Sequence, residues 1–214
     1  MGKQVIKIVN EPMSVNTYIL FEEDDNKAVV IDPSFASEKI LRVLKDEGLT
    51  CEAVLLTHGH FDHIAGVSAL RETFGAPLYI HSGDADMITD AKKNMSPAMG
   101  GLHIQLEPAE NLIKDVDKLV VGNMEILVLG TPGHSPGSVC YMCEEYMFSG
   151  DTLFNLSIGR TDLPGGSVEE MRRSMGLLEN IDKDYIVHPG HGESSSLEFE
   201  KANNPFMGRN AWFI

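Results

Sequence analysis

Positive charge is scarce in this chain. Seventeen lysines and arginines face 32 aspartates and glutamates, for a net charge of −15. No nucleic-acid partner is expected, because a phosphate backbone needs a continuous cationic face. A small anionic substrate, which needs only one or two local cations, stays allowed. Cysteine is scarce too: Cys51, Cys140 and Cys143 are an odd number, which points to reduced thiols and a cytoplasmic address. No apolar run is as long as a membrane span, so no membrane partner is expected. Met1-Gly2-Lys3-Gln4 leads into no signal-peptide pattern, and Ile6 stands where a myristoylation site asks for Ser or Thr. Linkers, low-complexity tracts and short repeats are also missing. The remainder is ordinary for a globular protein: 43% hydrophobic and 23% charged over 214 residues, read as one domain spanning 1–214.

Against that background one stretch is unusual. Thr57-His58-Gly59-His60-Phe61-Asp62-His63 places three imidazoles and a carboxylate within seven residues. Imidazole is the commonest neutral metal ligand near pH 7, and carboxylate adds the charge that divalent cations favour. Ala53–Thr57 reads as a buried strand, and Phe61–Phe74 has the apolar spacing of a helix. The motif thus sits at a strand-to-helix turn, where side chains two apart converge on one point. Asp62 and His63, further round, face a second point. Two adjacent metal ions are the expectation.

Strands are expected at Val5–Val9, Asn16–Phe21, Ala28–Ile31 and Pro77–His81. A β-rich half follows at Lys118–Val121, Glu125–Leu129, Ser138–Met142 and Tyr146–Phe148, with Tyr185–Val187 last. Ile40, Leu41, Val43 and Leu44 mark a helix ending near Gly48, and Asp84–Lys92 reads as a short one. Ser167 with Glu170 forms a capping box for another, and Leu197–Asn203 is the last. Asn94–Gly101 is a loop, either at the mouth of a site or a mobile surface segment. The recurrence of strands, a helix and a metal-type loop in each half hints at two similar halves facing each other.

Three later loops, each after a strand, complete a candidate site. Gly130–Gly137 packs proline and glycine around His134, Phe148–Asp151 ends a strand in a carboxylate, and Pro189–Gly192 flanks His191 with glycine. With the first motif they supply five histidines and two aspartates, a full set for two metals about 3.5–4 Å apart with one carboxylate between. Asp32, before Pro33, reads as turn chemistry or as a carboxylate supporting the metals. His81, His103 and His188 lie outside the pattern and read as surface or supporting histidines. Cys140 and Cys143 have C-x-x-C spacing, but in a strand they face opposite sides and cannot easily share a metal. Cys51 reads as packing.

Across nearly its full length the chain resembles the metallo-β-lactamase superfamily, and most closely its small glyoxalase II-type hydrolases. The resemblance rests on Thr57–His63, Thr131–Ser138, Phe148–Leu153, Ser157–Asp162, His188–Glu193 and the ending Glu200–Phe206. It implies an α/β fold, a single-domain αββα sandwich with the metals at one edge. By position it places His58, His60 and His134 on the first metal, Asp62, His63 and His191 on the second, and Asp151 between them. Zn2+ is the ion expected, with Fe or Mn as alternatives. Glyoxalase II proper continues into a helical domain that helps bind glutathione, whereas only 23 residues follow His191 here. Hydrolysis, rather than glutathione specificity, is therefore the firmer implication.

The mechanism expected from such a site is attack by a metal-bridging hydroxide on a small-molecule thioester, with Asp62 ligating and orienting the nucleophile. A glyoxalase II-type thioesterase is the leading reading. A lactonase or phosphodiesterase on the same site is the alternative, ahead of a persulfide dioxygenase. A non-catalytic metal-binding protein is the reading of a different class. Arg160 is the candidate clamp for a substrate carboxylate; its structural alternative is an ion pair with Asp162 or Asp151.

Overall fold

The computed structural model describes residues 2–98 and 100–208. Met1, Met99 and 209–214, all part of the domain expected over 1–214, lie outside the described residues. The chain opens as an antiparallel meander of β1 (Lys3–Asn10), β2 (Val15–Glu22) and β3 (Lys27–Ile31). Helix α1 (Ser37–Asp46) returns it to β4 (Thr50–Leu55), parallel to β3. Then come α2 (Phe61–Ile64), α3 (Val67–Phe74), β5 (Leu78–His81), a 3-10 turn at Ser82–Asp84 running into α4 (Ala85–Thr89), and β6 (Asn111–Ile113). The first sheet has the order β1-β2-β3-β4-β5-β6.

The second half adds β7 (Val116–Val121), β8 (Met124–Gly130), β9 (Val139–Cys143), β10 (Tyr146–Gly150) and a small hairpin, β11 (Leu153–Phe154) with β12 (Ser157–Ile158). Helix α5 (Val168–Glu179), β13 (Ile186–Pro189), β14 (Ser195–Ser196) and α6 (Leu197–Asn203) complete it. The second sheet has the order β14-β13-β10-β9-β8-β7.

Strand periodicity accounts for the layers. Alternate residues point to opposite faces, and here both faces of both sheets are apolar over their central strands. Tyr18, Leu20, Val29, Ile31 and Leu55 meet Ile126, Val128, Tyr141 and Phe148 between the sheets. Ile19, Val30 and Val54 face Ile40, Leu44, Val67 and Leu70 of the helices outside the first sheet. Cys140, Met142, Met147 and Val187 face Met171, Met175 and Leu178 of α5 outside the second. Three apolar interfaces make four layers, αββα, as the resemblance implies. Cys140 and Cys143 fall in different interfaces, the opposite-face arrangement that strand geometry requires.

Two expectations need correction. The apolar run Phe61–Phe74 is two helices: Ala65 and Gly66 interrupt it, and the Gly66 N–H donates to Pro33 O at 2.8 Å rather than back along a helix. The 94–101 segment lies at the surface only in its later part: Ala98, Gly100 and Gly101 are exposed, whereas its first residues are held in place. Asn94 and Ser96 are fully buried, Asn94 donates to Ile104 O, and Phe61 N–H donates to Asn94 O. Among the described residues no helix is long and apolar enough to cross a membrane.

Candidate metal centre

Loops leaving the carboxyl ends of β4, β8, β10 and β13 meet at one rim of the sandwich. His58, His60 and His134, all buried, each bring one ligand atom to within 4.8 Å of the others. Asp62, His63 and His191 form a second such group. Asp151 lies between them. Its Oδ1 is 3.5 Å from His63 Nε2, and its Oδ2 is 3.6 Å from both His134 Nε2 and His191 Nε2. Asp62 Oδ2 is 3.5 Å from His191 Nε2. Two ligands about 2.0–2.1 Å from one tetrahedral ion stand roughly 3.4 Å apart, so these separations match a shared cation better than hydrogen bonds.

The donor set passes a second test. The Nε2 atoms of His58 and His63 and Oδ1 of Asp151 are buried without a hydrogen-bond partner, while His60 turns its Nδ1 to within 2.9 Å of His134 Nε2. Each such orphan costs about 1–3 kcal/mol, and a divalent ion with nitrogen and oxygen preference relieves that cost.

The opposite ring nitrogens are tied down. His63 Nδ1 lies 2.9 Å from Asp32 Oδ2, and His134 Nδ1 donates to Arg160 O at 2.8 Å. Thr57 Oγ1 donates to Asp32 Oδ2 at 2.6 Å and so accepts from His58 Nδ1 at 3.1 Å. These bonds select the tautomer whose Nε2 lone pair is free, as metal-ligating histidines require. Asp32 Oδ1 also accepts Thr57 N–H at 2.8 Å. The sequence left Asp32 between turn chemistry and support of the metals; its φ of 50° places it in the turn, and its bonds orient His63 and, through Thr57, His58.

The groups of the two clusters shift one another's titration. Burial, then neighbouring imidazoles, push His58 well below its ordinary range, and burial with His134 brings His60 down to about 4. Burial works against protonation at His63 as well, but Asp151, Asp32 and Asp62 outweigh it and lift His63 to about 10. Burial opposes ionisation of Asp62, yet His63 and His191 hold its carboxyl well below the usual carboxylate range. His191 is raised against its own burial by Asp62 and Asp151.

Close packing fixes the floor. A Cβ on Gly190 would stand 2.3 Å from Asp151 Oδ1 and 2.7 Å from His63 Cε1, so only glycine lets this loop approach. The loop is anchored by Asn16, whose side chain donates to Pro189 O and Gly192 O, and by Tyr18, whose hydroxyl donates to Pro189 O. Sequence reasoning did not pick out Asn16 or Tyr18. The available signal was a polar Asn16-Thr17 pair inside a strand otherwise built to be buried.

Above the centre opens a cavity of about 550 Å3. Met13, Phe61, Met95, Phe154, Ile158 and Leu163 form its apolar wall, and Arg160 stands at its rim. The 94–101 segment therefore does reach the mouth of the site. Arg160 is exposed, and its Nε and Nη2 are bonded to the two carboxylate oxygens of Asp162 at 2.7 and 2.8 Å. The ion pair anticipated as the alternative to a clamp is present, with Asp162 rather than Asp151. His103 is exposed, and His81 Nδ1 accepts Gly83 N–H away from the centre. His188 is half-buried; it stacks on Phe148 and Tyr146 and bonds Ser194.

The metallo-β-lactamase superfamily model matches residues 10–191, and the chain belongs to that superfamily. It is 37% identical to the probable metallo-hydrolase YqgX of Bacillus subtilis, covering 92% of this chain and 93% of that one. It is 31% identical to the hydroxyacylglutathione hydrolase GloC of Haemophilus influenzae, over 88% and 91%. Among solved structures, BLEG-1, described as a B3 metallo-β-lactamase, superimposes with a TM-score of 0.90 at 40% identity, over 95% of this chain and 99% of that one. TTHA1623 in a di-iron-bound form gives 0.82 at 34%, over 94% and 100%. The protein is a metallo-hydrolase-type chain whose His/Asp clusters fit metal binding.

Proposed function

We propose that this protein is a dinuclear metal-dependent thioesterase of glyoxalase II type. In this reading His58, His60 and His134 would hold one divalent ion, Asp62, His63 and His191 would hold the other, and Asp151 would serve both. The observation that carries it is the Asp151 carboxylate, placed 3.5–3.6 Å from Nε2 atoms of both clusters. Zinc suits so imidazole-rich a set; the di-iron form of TTHA1623 makes iron the second ion to test. When bound, such a pair supplies Lewis-acid polarisation of a carbonyl and a nucleophilic water at neutral pH.

The chain's own residues do the rest. Asp62, held deprotonated, accepts a hydrogen bond from the attacking water and orients it. The apolar wall of the cavity excludes bulk water and seats the part of the substrate beyond its carbonyl. Among the described residues, the titratable groups lining that cavity are Arg160, Asp151 and members of the two clusters. No separate general acid stands by for a leaving group. A thiol, with a pKa near 8.5, departs as thiolate without one, whereas an amine or alkoxide does not, and this favours thioesters. The likeness to GloC supports the same class.

The likeness to BLEG-1 favours β-lactam hydrolysis as a second reading. Zinc- and iron-loaded protein assayed against S-lactoyl-glutathione, short acyl thioesters, a lactone, a phosphodiester and a chromogenic β-lactam separates them. The thioesters are expected to give the highest kcat/KM. Faster turnover of the β-lactam would transfer the assignment, and turnover of none would return the protein to metal binding alone.

A further inference from the structure

Asp84, at the end of the 3-10 turn after β5, is fully buried and far in sequence from every member of the two clusters. Its Oδ2 accepts Gly59 N–H at 2.9 Å and Ser135 Oγ–H at 2.6 Å, and its Oδ1 accepts Gly137 N–H at 2.7 Å. Gly59 separates His58 from His60, and Ser135 follows His134. One carboxylate therefore joins the two loops that carry the whole of the first cluster. Ser135 is cross-linked further through Ser138 Oγ at 2.7 Å. The fit is close: a Cβ on Gly137 would lie 2.6 Å from Asp84 N.

The second cluster is held by groups other than Asp84, one of which, Asp32, also reaches His58 through Thr57. Asp32 holds His63, Ser34 Oγ donates to Asp62 O at 2.5 Å, and Asn16 and Tyr18 hold the His191 loop. None of them contacts Asp84.

We infer that Asp84 is a positioning residue for the first metal of the pair, setting the spacing of His58 and His60 against His134 while leaving the second metal's ligands alone. This rests on the dinuclear reading above. A carboxylate meets three converging donors with acceptor oxygens only. An amide at the same place turns one NH2 toward at least one donor, leaving that donor unpaired in a buried site.

The test is cobalt(II) titration of Asp84→Asn, followed by the visible ligand-field bands, beside wild type, His60→Ala and His191→Ala. The expected result is that one of two binding steps weakens by about 10–100-fold, that the remaining spectrum matches His60→Ala, and that the other step is unchanged. Equal weakening of both steps, or a spectrum matching His191→Ala, would reduce Asp84 to a general structural role and overturn the inference; so would two unchanged steps. If Asp84→Asn does not fold, Ser135→Ala removes one of the three donors and is expected to weaken the same step, less strongly. No selective loss there overturns the inference as well. Wild type that binds only one cobalt would instead defeat the dinuclear reading, so the two failures are distinguishable.

Discussion

The Asp32 carboxylate lies 2.9 Å from His63 Nδ1 while accepting both the backbone N–H and the hydroxyl of Thr57. Through Thr57 the same carboxylate reaches His58, so one acidic residue sets the tautomer of a histidine in each cluster. Asp32→Asn offers His63 an amide that can present either end. Metal affinity is expected to fall by roughly 10–100-fold, with both sites affected. Competition with a chromogenic chelator measures it. Unchanged affinity would show that the carboxylate serves only the turn.

Asp151→Ala removes the carboxylate that lies between the clusters, so both metal occupancy and activity should collapse. His103→Ala, at an exposed position, should change neither. Elemental analysis and kcat/KM on the two variants check this, and similar behaviour would mean that the Asp151 loop has been misassigned.

Proton release on loading follows from His63. Burial opposes it, but Asp151, Asp32 and Asp62 raise its pKa to about 10, so at pH 7 its Nε2 keeps a proton that a metal must displace before the lone pair is free. The sign is consistent for stability. The favourable His63–carboxylate interaction in the metal-free protein is fully present below the unfolded-state value near 6.5 and is lost as pH rises through about 10. Calorimetry in buffers of different ionisation enthalpy should return about one proton or more released per chain. No release would contradict the placement of His63 among three carboxylates.

Arg160 tests substrate recognition. Its bond to Asp162 is exposed on both sides, where solvent screens the pair, so an acidic substrate can compete for the guanidinium. Arg160→Ala is expected to raise KM for acidic thioesters more than for neutral ones, with kcat largely kept. Asp162→Asn is expected to lower KM for the acidic ones. Equal effects on both substrate types would assign Arg160 to holding its loop, a task its carbonyl already performs for His134.

Much of this was legible in the sequence because the chemistry is contiguous. His58, His60, Asp62 and His63 lie in one turn, and each remaining member of the clusters sits in a glycine-rich or strand-ending loop. The layers were legible as well, since alternate apolar residues such as Ile19 and Leu20 need two faces to bury them. What was not legible depends on long-range approach. Asp84 reads locally as the start of a short helix, and nothing nearby in sequence announces donors 25 and 53 residues away. The break at Gly66 comes from Pro33, on another element. The pairings β11–β12 and β13–β14 involve two residues per strand, too few for a period to register.

The most direct measurement is the rate of S-lactoyl-glutathione hydrolysis by metal-free protein as zinc is added in known equivalents. Two ions bridged by Asp151 predict a rate that rises to a plateau at two equivalents per chain, and no comparable plateau for Asp151→Ala. A plateau at one equivalent, or no hydrolysis at any loading, would contradict a dinuclear thioesterase.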